Sequence, residues 1–436
     1  MSELLESNLS IITQRWPSIA QQIQLANVDG LDAALVSGNN QTISVNGIQL
    51  SSRHDRLAEA QLLIENTIDD SATQAHVFGI GMGDVPSLLL DNQKLTSIDV
   101  YLLNAALLKL LLTYTDQSEW LTDDRVNLID EPALYQLPND FIPIAADLQL
   151  TDEEHAITRD VVVHQLNVEF ANIKHQQNDP QINERISQTM PLIKRDDDAA
   201  LLLERYDAKQ VLVVAAGPTL ETQYETIKHF HRQNGNVLIC VDVAVKALVN
   251  AGITPDIIVT LDEKITATMV WHECLSATSL VYFPRTQPGL INVWKGPRYS
   301  AYTTSALYAS LNAILPRLNL FANGSVFHPA ADLAIKLSPR SVIFFGTDFS
   351  YPNNRTHAFW ENGKLGVLGV ETKKHWVING KGEKVATDLN FRGYLRSLEQ
   401  LISGHANIKF YQASEEGAKI HGVELLKDNY TQQGGK

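Results

Sequence analysis

Between Val211 and Lys264 the chain reads VLVVAAGPTLE, a helical stretch, VLICVDVAVKAL and GITPDIIVTLDEK. The continuous apolar runs Val211–Val214, Val237–Val241 and Ile257–Thr260 are separated there by segments of helix length. A strand that is apolar on both faces must be covered on both sides, and strands that alternate with helices build a parallel sheet. The first run breaks at Gly217 and Pro218, with Thr219 placed as a helix N-cap, and the next two end in Asp242 and Asp262. Parallel sheets bind ligands at the carboxyl ends of their strands, so these residues are expected along one edge. Glycine admits close backbone approach, and free N–H groups at a helix start favour an anion such as phosphate. Carboxylates beside them suit ribose or amino-group hydrogen bonds, or a divalent ion. The segment therefore predicts a nucleotide site, against the plainer reading that Gly217 only shapes a tight turn.

The downstream half repeats the pattern. Leu280–Phe283 reads as a further strand that runs into Pro284 and Arg285. In NGSVFHPAADLAIKLSPRSVIFFGTDFSYPNNRTHAFW, Gly324 and Ser325 precede a helix expected over Pro329–Leu337, and SVIFF ends at Gly346, Thr347, Asp348 and Tyr351. His357 follows on the loop that begins at this strand end, where an imidazole can act as a general base, and His328 is its rival. A helix over Leu389–Ile402, the strand IKFYQ and the turn SEEGAKIHG close the chain.

The amino-terminal half is less specific. Leu4–Ile23 and Arg56–Ile64 read as helices, and HVFGIGMGDVPSLLL places Gly79, Gly81 and Gly83 after a short apolar strand. A second strand, LTSID, ends in Asp99, where a ribose-binding acid of a Rossmann half would sit. The spacing is GxGxG rather than GxGxxG, so this unit reads as a scaffold or docking unit, not as a dinucleotide or S-adenosylmethionine site. Thr151–Gln177 is helical and charged, a further helix is expected over Ile182–Ile193, and both read as a solvated spacer. The expected fold is α/β, two Rossmann-like units in series with a helical linker and helical additions: residues 1–150, a linker over 151–205, and 206–436.

Charge narrows the partners. The 436 residues carry a net charge of -15, which argues against nucleic acid. Cys240 and Cys274 make neither a disulfide framework nor a CxxC metal site. The longest apolar run, Tyr101–Leu112, is interrupted by Asn104 and Lys109, so no membrane span is expected. The start MSELLESNLS is too polar for a signal peptide, and the expected location is the cytoplasm.

GPTL after a strand, VDVAVKALVNAGITPDIIVTLD, GSVFHPAADLAIKL, GTDFSY followed by THAF, and the closing EEGAKIHG together resemble the motility-associated factor (Maf) family, in the same order and over roughly residues 165 to 422. These are flagellin glycosyltransferases whose central domain is similar to bacterial sialyltransferases and, more distantly, to archaeal hydroxymethylpterin diphosphokinases. The resemblance implies a sialyltransferase-like second domain and transfer of a nonulosonic acid, such as pseudaminic or legionaminic acid, from its CMP conjugate to Ser or Thr of flagellin. No tightly bound cofactor is implied beyond that donor; a divalent ion such as Mg2+ stays open.

The same resemblance assigns roles. The turn Ala216, Gly217, Pro218 and Thr219 is similar to the Gly-Pro-Ser turn that holds CMP in sialyltransferases, with Thr in place of Ser and Ala215 where those enzymes have a more polar residue. His357 resembles their catalytic base, with Asp348 as competitor. Asp242, Asp262, Gly324, Ser325, Thr347 and Tyr351 are the remaining expected ligand contacts, and Lys264, Arg285 and Arg355 are the cations available to the donor's phosphate and carboxylate. Asp262 and Glu263 form no unambiguous DxD. The alternatives are a pterin-type diphosphokinase, which wants paired acids on Mg2+, and a flagellin-binding module without catalysis.

Overall fold

The computed structural model describes residues 2–132, 137–174, 180–358 and 375–427, and the chain divides into units Met1–Leu166 and Asn167–Lys436.

In the first unit, the stretch expected as one helix is two, Glu3–Arg15 and Pro17–Leu25. Pro17 has no N–H to continue the first helix but fits the first position of the second. An antiparallel sheet follows, β1 (Ala33–Ser37), β2 (Gln41–Val45) and β3 (Ile48–Gln49), then the helix Arg56–Glu65, capped by Asp55. The main sheet contains β4 (Gln74–Phe78), β5 (Ser97–Tyr101), β6 (Val126–Ile129) and β7 (Ile142–Pro143), parallel and in the order β6-β5-β4-β7. Its strands are apolar because helices cover them, and Val77, Ile98, Val100 and Ile142 are fully buried. Asp99 lies in the middle of β5 and not at its end, because the strand runs on to Tyr101. There it accepts hydrogen bonds from Ser97 and Asn127, both 2.9 Å, and faces His76 at 3.4 Å, so it stands away from the ribose position.

The second unit is built on a nine-stranded sheet. In chain order its neighbourhood contains β8 (Asp197–Asp198), β9 (Gln210–Val214), β10 (Asn236–Val241), β11 (Ile257–Thr260), β12 (Ser279–Tyr282), β13 (Arg298–Ser300), the short pair β14 (Tyr302–Thr303) and β15 (Asn319–Leu320), and β16 (Ser341–Phe345). The hairpin β17 (His375–Ile378) and β18 (Lys384–Thr387) precedes β19 (Lys409–Gln412) and β20 (Glu424–Leu425). The sheet order is β20-β19-β16-β9-β10-β11-β12-β13-β8, and every pairing in it is parallel. From β9 the chain adds strands toward β13, then returns to place β16 on the other side of β9. The strand order thus reverses between β9 and β16, where a doubly wound sheet opens its ligand crevice. The helix Phe327–Lys336 covers one face and buries Ala330, Ala331, Ala334 and Ile335, and its alanines let it pack closely.

The expected spacer is not solvated. Of the stretch expected as helix through Gln177, Ala156–Lys174 forms one and residues 175–179 lie outside the described set. The next helix, Pro180–Arg195, buries Ile182, Ile186 and Ile193 against Tyr282, Ile291, Tyr302 and Tyr308. Its apolar positions recur every three to four residues, which marks a packed face. It belongs to the core of the second unit, and the residues after it supply β8 at the sheet edge.

A candidate nucleotide site at the carboxyl edge of the large sheet

The turn after β9 is held by the turn after β16. Gly217 donates its N–H to the Gly346 carbonyl at 2.8 Å, and the Asp348 carboxylate accepts from the Thr219 N–H at 2.9 Å and its hydroxyl at 2.5 Å. Thr219 is therefore no N-cap; it lies inside a 3-10 turn, Pro218–Thr222, that precedes the helix Tyr224–His231. Gln223, which sequence reasoning passed over, ties the two turns together by accepting from the Gly346 N–H at 2.8 Å and donating to the Thr219 hydroxyl at 3.3 Å. A Cβ on Gly217 would sit 2.5 Å from the Gly346 carbonyl oxygen and 2.8 Å from the Asp348 carboxyl carbon. Glycine is required here by the chain's own crossing, whether or not a ligand approaches. Gly417, in the closing EEGAKIHG, likewise packs against Asp348, and Ala418 donates to its backbone carbonyl at 2.7 Å. Asp348 is 3% exposed, and burial pushes its pKa up to about 6 although both Thr219 bonds favour the charged form.

His357 returns to this turn. The Ala358 N–H bonds to the Ala216 carbonyl at 2.8 Å, which holds the backbone next to His357 against the residue before Gly217. Its Nδ1 is buried with no hydrogen-bond partner among the described residues, and burial lowers the imidazole pKa. The ring is thus neutral near pH 7, with a nitrogen able to take a proton. Phe359 and Trp360, the end of the THAFW motif, lie outside the described residues. Arg355 is held by Glu221 through two contacts of 2.6 Å. Thr347 is half-buried and donates to the Phe345 carbonyl at 3.2 Å.

At the next strand ends stand Asp242 and Asp262. Asp242 is 1% exposed; its Oδ1 accepts the Val243 N–H at 2.8 Å, and its Oδ2 has no hydrogen-bond partner among the described residues. Burial pushes its pKa up to about 7. The Thr260 side chain and the Val243 and Leu261 backbone N–H groups lie close enough to favour the carboxylate, Thr260 and Leu261 outside strict hydrogen-bond geometry, and the nearby Asp262 disfavours it. Asp262 is exposed and caps the Lys264 N–H at 2.8 Å. Arg285 pairs with Glu263 at 3.0 Å, whereas the exposed Lys264 makes no ion pair among the described residues.

Of the remaining expected residues, Gly324 packs on Tyr394 and Tyr351 on Phe391. Gly324 has a left-handed φ of 81°, and a Cβ there would meet the Tyr394 ring at 2.6 Å. Ser325 caps the Phe327 N–H at 3.2 Å. His328 is fully buried, its Nε2 bonded to the Tyr394 carbonyl at 2.9 Å and its Nδ1 accepting from the Asn323 N–H at 3.3 Å, so it is structural and no rival base. Tyr351 is buried with its hydroxyl on Asp388, and burial raises its pKa, so its polar end is turned to the protein. Tyr394 was missed from sequence; its hydroxyl feels the charges of Asp388 and Asp262, which puts it near the same edge.

The glycine loop of the first unit presents a different picture. The Ile80 and Gly81 N–H groups, the donors that would hold a phosphate, both bond to the Asp147 carboxylate, at 2.8 and 3.0 Å. Asp147 is buried, and desolvation pushes its pKa up to about 6. A cavity of about 220 Å³ lies beside the loop, lined in part by Leu50, Arg56, Ile80, Met82, Asp84 and Ile144. Arg56 and Asp84 pair with one another across it, through contacts of 2.5 and 3.0 Å.

The second unit is thus a doubly wound α/β unit with a glycine turn at its switch point, and with His357 Nδ1 unpartnered among the described residues. Its residues 184–354 match the family described as 6-hydroxymethylpterin diphosphokinase MptE-like, a domain that the Maf family carries. Among solved structures, the chain resembles the MAf glycosyltransferase from Magnetospirillum magneticum AMB-1, at 15% identity over 98% of this chain and 74% of that one, with a TM-score of 0.47. No curated protein matches. Among the described residues no helix is long and apolar enough to cross a membrane, and no three His, Cys, Asp or Glu side chains gather as for a metal ion.

Proposed function

We propose that the chain is a glycosyltransferase that moves a nonulosonic acid of the pseudaminic or legionaminic type from its CMP conjugate to Ser or Thr of flagellin, in the cytoplasm. The reading rests chiefly on the segment of His357 and the residue before Gly217 meeting through the Ala358 to Ala216 hydrogen bond, with Nδ1 of His357 unpartnered among the described residues. The sequence motifs shared with the Maf family supply the donor and acceptor classes. In this reading CMP lies across the ends of β9, β10 and β11, beside the turn rather than on its N–H groups, which Gly346 and Asp348 already hold. His357 takes the proton of the acceptor hydroxyl as that oxygen attacks the anomeric carbon, the bond from that carbon to the phosphate oxygen breaks, and CMP leaves with the electron pair. Asp348, with its oxygens engaged by Thr219, holds the turn and is the weaker candidate for base. Lys264 is the cation free to meet donor charge, since Arg285 and Arg355 are already paired with glutamates.

The match over residues 184–354 favours a second reading, a pterin-type diphosphokinase. Against it, Asp262 and Glu263 do not act as one acidic pair, because Glu263 is bound to Arg285. Melting temperatures with a CMP-linked nonulosonic acid, with ATP and Mg2+, and with neither separate the readings. Stabilisation by the CMP conjugate alone is expected. A response to ATP and Mg2+ alone selects the kinase, and no response to either leaves a binding module without catalysis.

A further inference from the structure

β1 is an outer strand of the small sheet β1-β2-β3 in the first unit, and its burial differs from that of its neighbour. Ala33, Ala34, Leu35 and Ser37 are exposed, whereas Thr42, Ile43 and Val45 of β2 are buried. Two bonds fix which backbone groups of β1 point outward. The Asn46 N–H donates to the Asp32 carbonyl at 2.8 Å, and the Gly38 N–H to the Asn40 carbonyl at 2.9 Å. With the register from Ala33↔Val45 to Ser37↔Gln41, the hydrogen-bonded positions of this antiparallel ladder are therefore Ala34 and Val36. The N–H and C=O groups of Ala33, Leu35 and Ser37 face away from β2 and take no other backbone partner among the described residues. Exposed strand edges are ordinarily blunted by charge, proline or a bulge, and the segment AALVS has none of these.

The outward groups are symmetric about Leu35. A second copy, turned antiparallel on a two-fold axis at Leu35, sets Leu35 against Leu35 and Ala33 against Ser37 on either side, and each such pair exchanges two hydrogen bonds. The side chains agree with that register. Leu35 shares a face with its ladder partner, the buried Ile43, yet is 59% exposed, so the apolar face of the sheet runs past β2 to the open edge. One step beyond the strand, the same register sets Asp32 against Gly38. A Cβ at Gly38 would lie 3.3 Å from the Cβ of Arg53, so Arg53 stands where a side chain of residue 38 would. Asp32 and Arg53 are both exposed, and neither makes an ion pair among the described residues. In the two-fold pair each Asp32 comes beside the Arg53 of the other copy. A chain of net charge -15 repels its copies, and this uncharged strand flanked by opposite charges is a place where they can meet.

We infer that β1 is a homodimer interface, pairing antiparallel with β1 of a second copy about Leu35 and joining the two three-stranded sheets into one. The inference stands apart from the nucleotide reading: it concerns the first unit and gives that unit the task of association. A strand pair this short is a small interface, so the dimer is reversible and depends on concentration.

The test is light scattering and sedimentation of the purified full chain over a range of concentrations, where a reversible equilibrium between monomer and dimer is expected. Leu35→Pro removes an N–H that points outward and leaves the bonds between β1 and β2 in place. It should raise the dimer dissociation constant at least tenfold, about 1.4 kcal/mol. Leu35→Lys, which keeps every backbone group, should do the same and covers the case in which the proline variant fails to fold. Asp32→Arg and Arg53→Asp should each weaken association, and the two together should restore it. In a Cys274→Ser background, which removes the exposed thiol, diamide should link Leu35→Cys chains to one another and leave Ser37→Cys chains unlinked. The reason is that residues paired on the axis have Cα atoms about 5.5 Å apart, within disulfide reach. A chain that is monomeric at every concentration overturns the inference, whether or not another protein takes the edge. A dimer that survives both Leu35 variants belongs to another surface, and linking through position 37 rather than 35 overturns the register.

Discussion

The two units each carry a glycine turn after a buried parallel strand, and in each the turn is gripped by a carboxylate from a later segment. In the first, Asp147 takes the N–H groups of Ile80 and Gly81. In the second, Asp348 takes the N–H and hydroxyl of Thr219. Both acids are buried, and both have pKa values pushed up to about 6. The difference lies around them. Beside the Asp147 turn the charged pair Arg56 and Asp84 satisfies itself, whereas near the Asp348 turn His357 Nδ1 has no partner among the described residues. A glycine turn at a strand end is therefore a structural device common to both units, and only unspent polar capacity beside it points to chemistry.

The sharpest break of that comparison is kinetic. His357→Ala should retain binding of the CMP conjugate and lose about 10²- to 10⁴-fold in transfer rate to a flagellin acceptor. Near-normal turnover in His357→Ala, with Asp348→Ala inactive at unchanged donor affinity, would reassign the base to Asp348.

Next in size is the steric demand of the two glycines. Gly217 has an ordinary φ of -64°, so its requirement is contact alone, while Gly79 combines a φ of 96° with a Cβ position 2.7 Å from the Asp147 carboxyl carbon. Gly217→Val should lower stability by about 1–3 kcal/mol through overpacking. Gly79→Val should lower it further, since left-handed strain adds about 1–3 kcal/mol. Urea unfolding of both variants checks the order. Donor affinity lost in a Gly217→Val protein of wild-type stability would show instead that the ligand, not Asp348, needs the space.

A smaller effect concerns pH. Asp147 and Asp348 have folded pKa values raised above the ordinary 3.8, so each contributes stability that is complete below about pH 4 and is lost as pH rises through about 6. The slope of stability against pH between 4 and 6 should flatten in Asp147→Asn and in Asp348→Asn. Each variant should also lose about 1–3 kcal/mol at pH 4, where an N–H donor is left facing an amide. Unchanged slopes would mean that these carboxyls titrate normally. The smallest expected signal is none: NAD and S-adenosylmethionine should give no heat of binding, because the amides they would use are already bonded to Asp147.

Much of this was legible in the sequence. The apolar runs announced the parallel sheet, and their order with intervening helices announced the edge that gathers Gly217, Asp242 and Asp262. Three things were hidden. Asp99 looked like a strand end because polar Ser97 and Asp99 interrupt the apolar pattern, yet the pairing of β5 with β4 carries the strand to Tyr101. The helix Pro180–Arg195 looked like a spacer because its many polar residues mask the spacing of Ile182, Ile186 and Ile193. Partners distant in sequence were not readable at all: nothing in GPTLE shows that Asp348 caps it, or that Arg285 and Arg355 are already paired.

The place of β8 has a practical consequence. Asp197 and Asp198 pair with Tyr299 and Ser300, closing the far edge of the large sheet with chain that precedes its first long strand. A fragment begun at residue 206 would leave β13 with unpaired backbone donors and acceptors, and would strip the helix that shields Tyr282, Tyr302 and Tyr308. Such an open edge with apolar flanks invites strand-to-strand association between molecules. The fragment starting at 206 should therefore precipitate, while one starting at 180 should stay monodisperse in size-exclusion chromatography.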